Sequence, residues 1–259
     1  MGKIESLIKF TGRVDNVVGA KGKNGEIIIR KYQNNPTKSQ TSGQIIQRTR
    51  FLSATGIASL SGRRGLMGFT HYAIQMGMSI KNAFTKTNLL AVFNSGNNNE
   101  KVIKASLNPQ TGDYESSIEW SELKFSKGSA GNIAAMTPRF DNPNEVDVFW
   151  GKRYADVDIP DTSVLTIIVL CPAMSEPAIV RSVNANVTGQ HLAIETPASW
   201  SGQKVYVYGV EAMFGDEATA VQYLSVFNNN NVAAQAIVSE LASQAAYSDT
   251  VYMGDGSIS

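Results

Sequence analysis

The sequence predicts an α+β fold, with an N-terminal β-hairpin and helices over 1–140 and an antiparallel β-sandwich over 141–259. Three observations predict it. Asn24-Gly25 lies between two strand-like runs, and Asn-Gly supplies the positive φ values that a tight hairpin turn needs. From about residue 144 apolar residues recur at period two, the spacing of a strand with one buried face. An inserted loop and alanine-rich helix at about 219–247 then break that rhythm.

The elements follow in chain order. Gly12–Gly19 and Glu26–Tyr32 flank the Asn-Gly turn as a strand pair. Asn35-Pro36-Thr37 then announces a helix, with Thr37 placed to cap free amides and Gln40 placed to reach back in a capping box. Ile45, Ile46 and Leu52 continue with helical spacing, weakened by Gly43, Gly56 and Gly62. Residues 66–92 read as helical through Met67, Tyr72, Ile74, Met78, Ile80 and Phe84, and Asn94–Asn99 reads as a loop. Residues 100–140 read as irregular with short strands, Glu119–Phe125 among them.

In the second half Val146, Val148 and Trp150 alternate with Asp147 and Phe149. Val164–Cys171 is apolar almost throughout and predicts a central strand buried on both faces. Leu192 and Ile194 alternate with His191 and Glu195, and in Lys204–Val210 valines and tyrosines take opposite faces. Short strands between Pro, Gly and Asn turns indicate a sandwich. Asn228–Asn231 followed by Val232–Ala246 predicts a loop and a helix, and Thr250–Met253 a closing strand.

Composition narrows function. The 259 residues are 42% hydrophobic and 17% charged, enough for a packed core and too apolar for wholesale disorder. One cysteine excludes an internal disulfide framework, and two histidines leave little for a zinc site. The N-terminus offers no apolar stretch of signal-peptide length, so a soluble protein made in a cytoplasm is expected. The net charge of +1 hides a segregation: residues 1–65 carry +9, 66–150 carry −1 and 151–259 carry −7.

Catalytic and ligand motifs are weak. Gly62-Arg-Arg-Gly65-Leu-Met-Gly68 lacks the spacing of a dinucleotide loop and reads as a basic break between helices. Cys171 ends an apolar strand before Pro172 and reads as a small buried hydrophobe. His71 and His191 read as structural, and Asp156, Asp158 and Asp161 lack the glycine and terminal glutamate of a calcium loop. No cofactor, no metal and no enzymatic activity are expected. The basic residues Lys21, Lys23, Arg30, Lys31, Lys38, Arg48, Arg50, Arg63 and Arg64 have few acidic neighbours in sequence. Such a stripe suits nucleic acid or an acidic neighbouring subunit, although Phe10, Tyr32 and Phe51 are few for base stacking.

A wider pattern runs along the chain. A glycine-led strand pair, Gly12–Gly19 and Ile29-Arg30, precedes Asn35-Pro36-Thr37, Gln40 and a helix with Arg48 and Phe51. Phe149-Trp150, the strand ending at Cys171-Pro172, Trp200–Tyr208 and Ser248–Gly254 follow. In this pattern the chain resembles an uncharacterised protein family of Bacteroidota and their phages. Here Thr37 directly follows Pro36, where the family has one residue between, and 219–247 is an insertion. The resemblance implies a basic N-terminal module joined to an immunoglobulin- or fibronectin-like sandwich.

With the charge pattern, it leads to the expectation of a structural, capsid-associated virion protein that assembles through opposed charges. The expected partners are copies of itself, other particle proteins and packaged nucleic acid, with no membrane and no small-molecule substrate. Synthesis is expected in a host bacterial cytoplasm, with the virion as destination. A nucleic-acid-binding protein acting through the basic segment is the alternative, and a phage-borne adhesin-like module the third.

Overall fold

Strand β10 (Ser163–Leu170) is buried along its whole length, and its neighbours explain why. Val164, Ile168 and Leu170 enter one hydrophobic core, while Leu165, Ile167 and Val169 enter another on the opposite face. A strand covered on both sides carries apolar residues at successive positions rather than at alternate ones. The computed structural model describes residues 12–14, 17–21, 27–31, 41–96, 98–131, 133–152, 157–187, 189–229 and 232–259. By its contacts the chain divides into two compact units, 1–44 and 45–259.

The first unit holds a three-stranded antiparallel sheet of β1 (Gly12–Val14), β2 (Val17–Lys21) and β3 (Ile27–Lys31), in that order. Lys21 lies opposite Ile27 and Val17 opposite Lys31, so β2 and β3 form the expected hairpin. The box predicted at Thr37 and Gln40 falls outside the described residues. A box of the same kind stands four residues later: Gln44 N–H donates to Thr41 Oγ1 at 3.4 Å, and Thr41 N–H to Gln44 Oε1 at 3.2 Å. It starts helix α1 (Ser42–Gly65) by satisfying amides that the first turn leaves without partners.

Within the second unit α1 buries Ala54, Ile57, Ala58, Ser61 and Gly65, the i, i+3, i+4, i+7 face of a helix. Gly62 interrupts it at φ 63°, a left-handed conformation that glycine adopts without a Cβ penalty. Leu60 O, placed just before the interruption, accepts from Ala178 N at 2.8 Å. Helices α2 (Thr70–Gln75) and α3 (Ile80–Leu90) follow, the latter capped by Ser79, whose side chain accepts from Asn82 N at 3.1 Å. Two hairpins come next: β4 (Val92–Ser95) with β5 (Asn98–Lys101), and β6 (Ile103–Leu107) with β7 (Tyr114–Ile118).

The strand expected over Glu119–Phe125 is not formed; Trp120–Glu122 is a single 3-10 turn. Side-chain contacts replace ladder bonds there. Trp120 stacks on Tyr206 at 4.8 Å between ring centroids, and its carbonyl accepts from the Tyr208 hydroxyl at 2.9 Å. Leu123 and Phe125 are buried beside it.

Strands β8 (Ile133–Arg139), β9 (Glu145–Lys152) and β12 (His191–Glu195) form one antiparallel sheet with β9 in the middle. The second sheet runs β11 (Ile179–Asn184), β10, β13 (Lys204–Met213), with β14 (Ala246–Tyr247) and β15 (Val251–Ser257) both paired to β13. Val146, Val148, Trp150 and Ile194 from the first sheet meet Leu165, Ile167, Val205 and Val207 from the second. This is a sheet-on-sheet core. On the outer face of the second sheet Tyr208 and Val210 meet Phe69, Phe84 and Phe125, so the helices form a third layer. Val205 and Val207 enter one core and Tyr208 the other, as the sequence predicts, while Val210 joins the tyrosine face.

The insertion is more helical than its sequence suggested. Ahead of the expected asparagine loop, where no helix was assigned, α4 (Glu217–Phe227) forms, and α5 (Val232–Ala242) follows the asparagines. Asp216 caps α4 through Thr219 N at 2.8 Å, while Ala220, Tyr223 and Phe227 supply a buried face.

Candidate functional site

The nine basic residues singled out in the sequence have different fates. Lys23 and Lys38 lie outside the described residues. In the first unit Arg13, Val18 and Arg30 fall in one cross-strand row, and Lys31 lies opposite Val17. Lys21 ends β2. In the second unit Arg48 and Arg63 are exposed and Arg50 and Arg64 half-buried.

Arg50 is turned into the fold. Its Nη2 donates to Leu89 O at 2.7 Å, its Nε to Ile103 O at 2.6 Å and its Nη1 to Gln47 Oε1 at 3.2 Å. A cation at the last turn of α3 also opposes the negative end of that helix. Arg64 is similarly engaged: its guanidinium donates to Asn229 O and lies 5.6 Å from the centroid of the Phe227 ring, at the end of α4.

The acidic counterpart is a surface that the charge sum alone could not locate. On the outward face of β9 and β12, Glu145 lies directly opposite Glu195, and Asp147 opposite Ala193. Like charges facing across strands destabilise a sheet. Among the described residues neither Glu145 nor Glu195 has a Lys or Arg in ion-pairing distance; Asn142 Nδ2 donates to Glu145 Oε1 at 2.7 Å and to Asp147 Oδ2 at 3.2 Å. His191 Nε2 is 2.7 Å from Asp147 Oδ1 and its ring stacks on Phe149 at 4.5 Å. Arg139 sits 4.7 Å from the same phenyl centroid.

Cys171 is buried in the inter-sheet core, and burial pushes its thiol above the usual range. A hydrogen bond from Lys152 holds the Asp158 carboxyl below its ordinary value, and Asp161 Oδ1 accepts from Asn186 Nδ2 at 3.0 Å. No group of three or more metal-ligating side chains is gathered among the described residues. No described helix is long and apolar enough to cross a membrane.

Sequence reasoning missed Glu211, because period two on β13 marks it only as one more inward position. It is 1% exposed. Its Oε2 accepts from Ile133 N at 3.1 Å, and its backbone exchanges bonds with Ser248, N to Oγ and O to N, both at 2.9 Å. The carboxylate thus pins the start of β8 to β13 within the sandwich. Glu211→Ala is expected to cost about 1–3 kcal/mol, the range for leaving a buried donor without its acceptor. Urea denaturation measures it, and Glu211→Gln, which keeps an acceptor, should lose less. Equal midpoints for Ala and wild type would contradict this role.

Comparison with protein-family models gave no match, and comparison with curated proteins gave none either.

Proposed function

We propose that the protein is a structural component of a particle, a virion or a related assembly, whose copies associate through opposed charges. One observation carries the reading: basic residues concentrate in 1–65, while the outward face of β9 and β12 sets Glu145 against Glu195 with no Lys or Arg in ion-pairing distance among the described residues. A neighbouring basic segment would relieve that repulsion. The strand pairing supports an immunoglobulin- or fibronectin-like sandwich as the rigid carrier, since β9 lies between β8 and β12 and β10 and β13 are adjacent. In this reading Lys21, Arg30, Lys31 and Arg48 supply the positive side, with nucleic acid as their alternative partner.

Light scattering at low and high salt tests it. The expected result is a large oligomer at low salt that shrinks as salt screens the charges. The double charge reversal Glu145→Lys, Glu195→Lys should prevent it from forming, without lowering the melting temperature. A monomer at both salt concentrations would overturn the assembly reading and leave nucleic acid as the partner of the basic segment.

A further inference from the structure

The interruption of α1 at Gly62 opens a cleft of about 420 Å³ against the edge strand β11. Its floor and walls include Leu60, Met67, Pro177 and Val238, and Arg63, Arg64 and Arg181 line it. The arginines arrive from two separate elements. Arg63 and Arg64 follow the glycine on α1, and Arg181 stands in the middle of β11, opposite Ile167.

Part of the edge of β11 is already occupied. Ala178 N donates to Leu60 O at 2.8 Å, and the Asn228 side chain, at the end of α4, takes both backbone groups of Ser182, at 3.3 and 3.0 Å. Those bonds fix the two walls relative to each other, so the cleft is preformed.

Among the described residues no carboxylate stands in ion-pairing distance of Arg63 or Arg181; the Arg181 Nη1 reaches only the carbonyl of Val180, at 3.2 Å. Partial burial holds the Arg64 guanidinium below its ordinary value, and the nearby charge of Arg181 pushes the same way. Like charges held together in a partly desolvated cleft attract an anion.

We propose that this cleft binds a phosphate ester, with the phosphate between Arg63, Arg64 and Arg181 and the organic group against Leu60, Met67 and Val238. A carboxylate is satisfied by a single guanidinium fork, whereas a phosphate offers oxygens to several at once. The volume lies within the range of small-ligand pockets, and the apolar wall suits a sugar or base rather than a bare ion. The site shares Arg63 and Arg64 with the basic residues of 1–65, but its test reads ligand binding rather than oligomer size, so it stands or falls separately.

Titration calorimetry of the full chain tests it, with adenosine monophosphate and inorganic phosphate as separate probes. Saturable binding is expected, tighter for the nucleotide, and weakened about tenfold by Arg63→Gln and by Arg181→Gln, the equivalent of about 1.4 kcal/mol for each lost contact. Both side chains are exposed, and unchanged melting temperatures would show the variants folded. Lys101→Gln, which removes an exposed cation outside the cleft, should leave the affinity as it is. Equal affinities for the two probes would assign the site to the phosphate group itself. Absence of saturable binding, or a Lys101→Gln loss matching that of Arg63→Gln, would overturn the proposal.

Discussion

Phe125→Ala is expected to cost about 3–5 kcal/mol, the range for deleting a buried aromatic ring. Phe125 is 0% exposed and lies between layers, 5.5 Å from the ring of Phe84 on α3 and 4.6 Å from that of Tyr208 on β13. Its backbone N–H donates to Thr250 Oγ1 at 2.6 Å, beside β15. Removing the ring leaves a cavity touching helix and sheet at once, and neither can collapse into it without the other. The loss should therefore appear as a single shifted transition, identical by helix-sensitive far-ultraviolet circular dichroism and by tyrosine and tryptophan fluorescence. Two separate transitions would show that the helices and the sandwich unfold independently, contrary to their shared core.

That shared core marks where sequence reading stops. Period two revealed β9, β12 and β13, and the unbroken apolar run of β10 revealed that both its faces were covered. What covers the second face is a long-range fact. Phe69, Phe84 and Phe125 look like ordinary core residues in sequence, and nothing local shows that they pack on Tyr208. The capping box was legible as a motif, yet Thr37-x-x-Gln40 and Thr41-x-x-Gln44 satisfy it equally. The second bonds, and the first lies outside the described residues. The strand predicted at Glu119–Phe125 failed because its bonding is made by the Tyr208 hydroxyl and Thr250, groups about 90 and 125 residues away in sequence.

Charge behaved in the same way. The segregation was a sum over residues and needed no structure, but the sum treated all arginines as equivalent. Arg50 spends its guanidinium on Leu89 and Ile103 carbonyls, while Arg63 stays exposed beside a residue absent from the basic stretch, Arg181. Arg181 lies in the acidic third of the chain, where net charge conceals it. Proximity across the fold, rather than density along the sequence, assembled the cationic cleft.

Trp200→Ala probes the other core and is expected to lose about 3–5 kcal/mol as well. Trp200 is 0% exposed in the inter-sheet cluster, and its Nε1 donates to Glu176 Oε2 at 2.6 Å. Glu176 also accepts from Ser199 Oγ at 2.9 and 3.1 Å, so losing the indole leaves that carboxylate with a partner. The cost should therefore come from packing rather than from the hydrogen bond. Trp200→Phe separates the two contributions: it deletes the donor, keeps most of the ring and should lose about 1–3 kcal/mol less than the alanine variant. If phenylalanine proves as damaging as alanine, the Glu176 bond dominates and the packing account fails. The alanine variant also bears on assembly, because Trp200 shares its core with Val146, Val148 and Ile194, whose strands β9 and β12 carry Glu145 and Glu195 outward. A sheet loosened on its inner face holds those carboxylates less firmly. Under the proposed assembly, oligomers of Trp200→Ala should then dissociate at lower salt than those of the parent, even at temperatures where the variant remains folded.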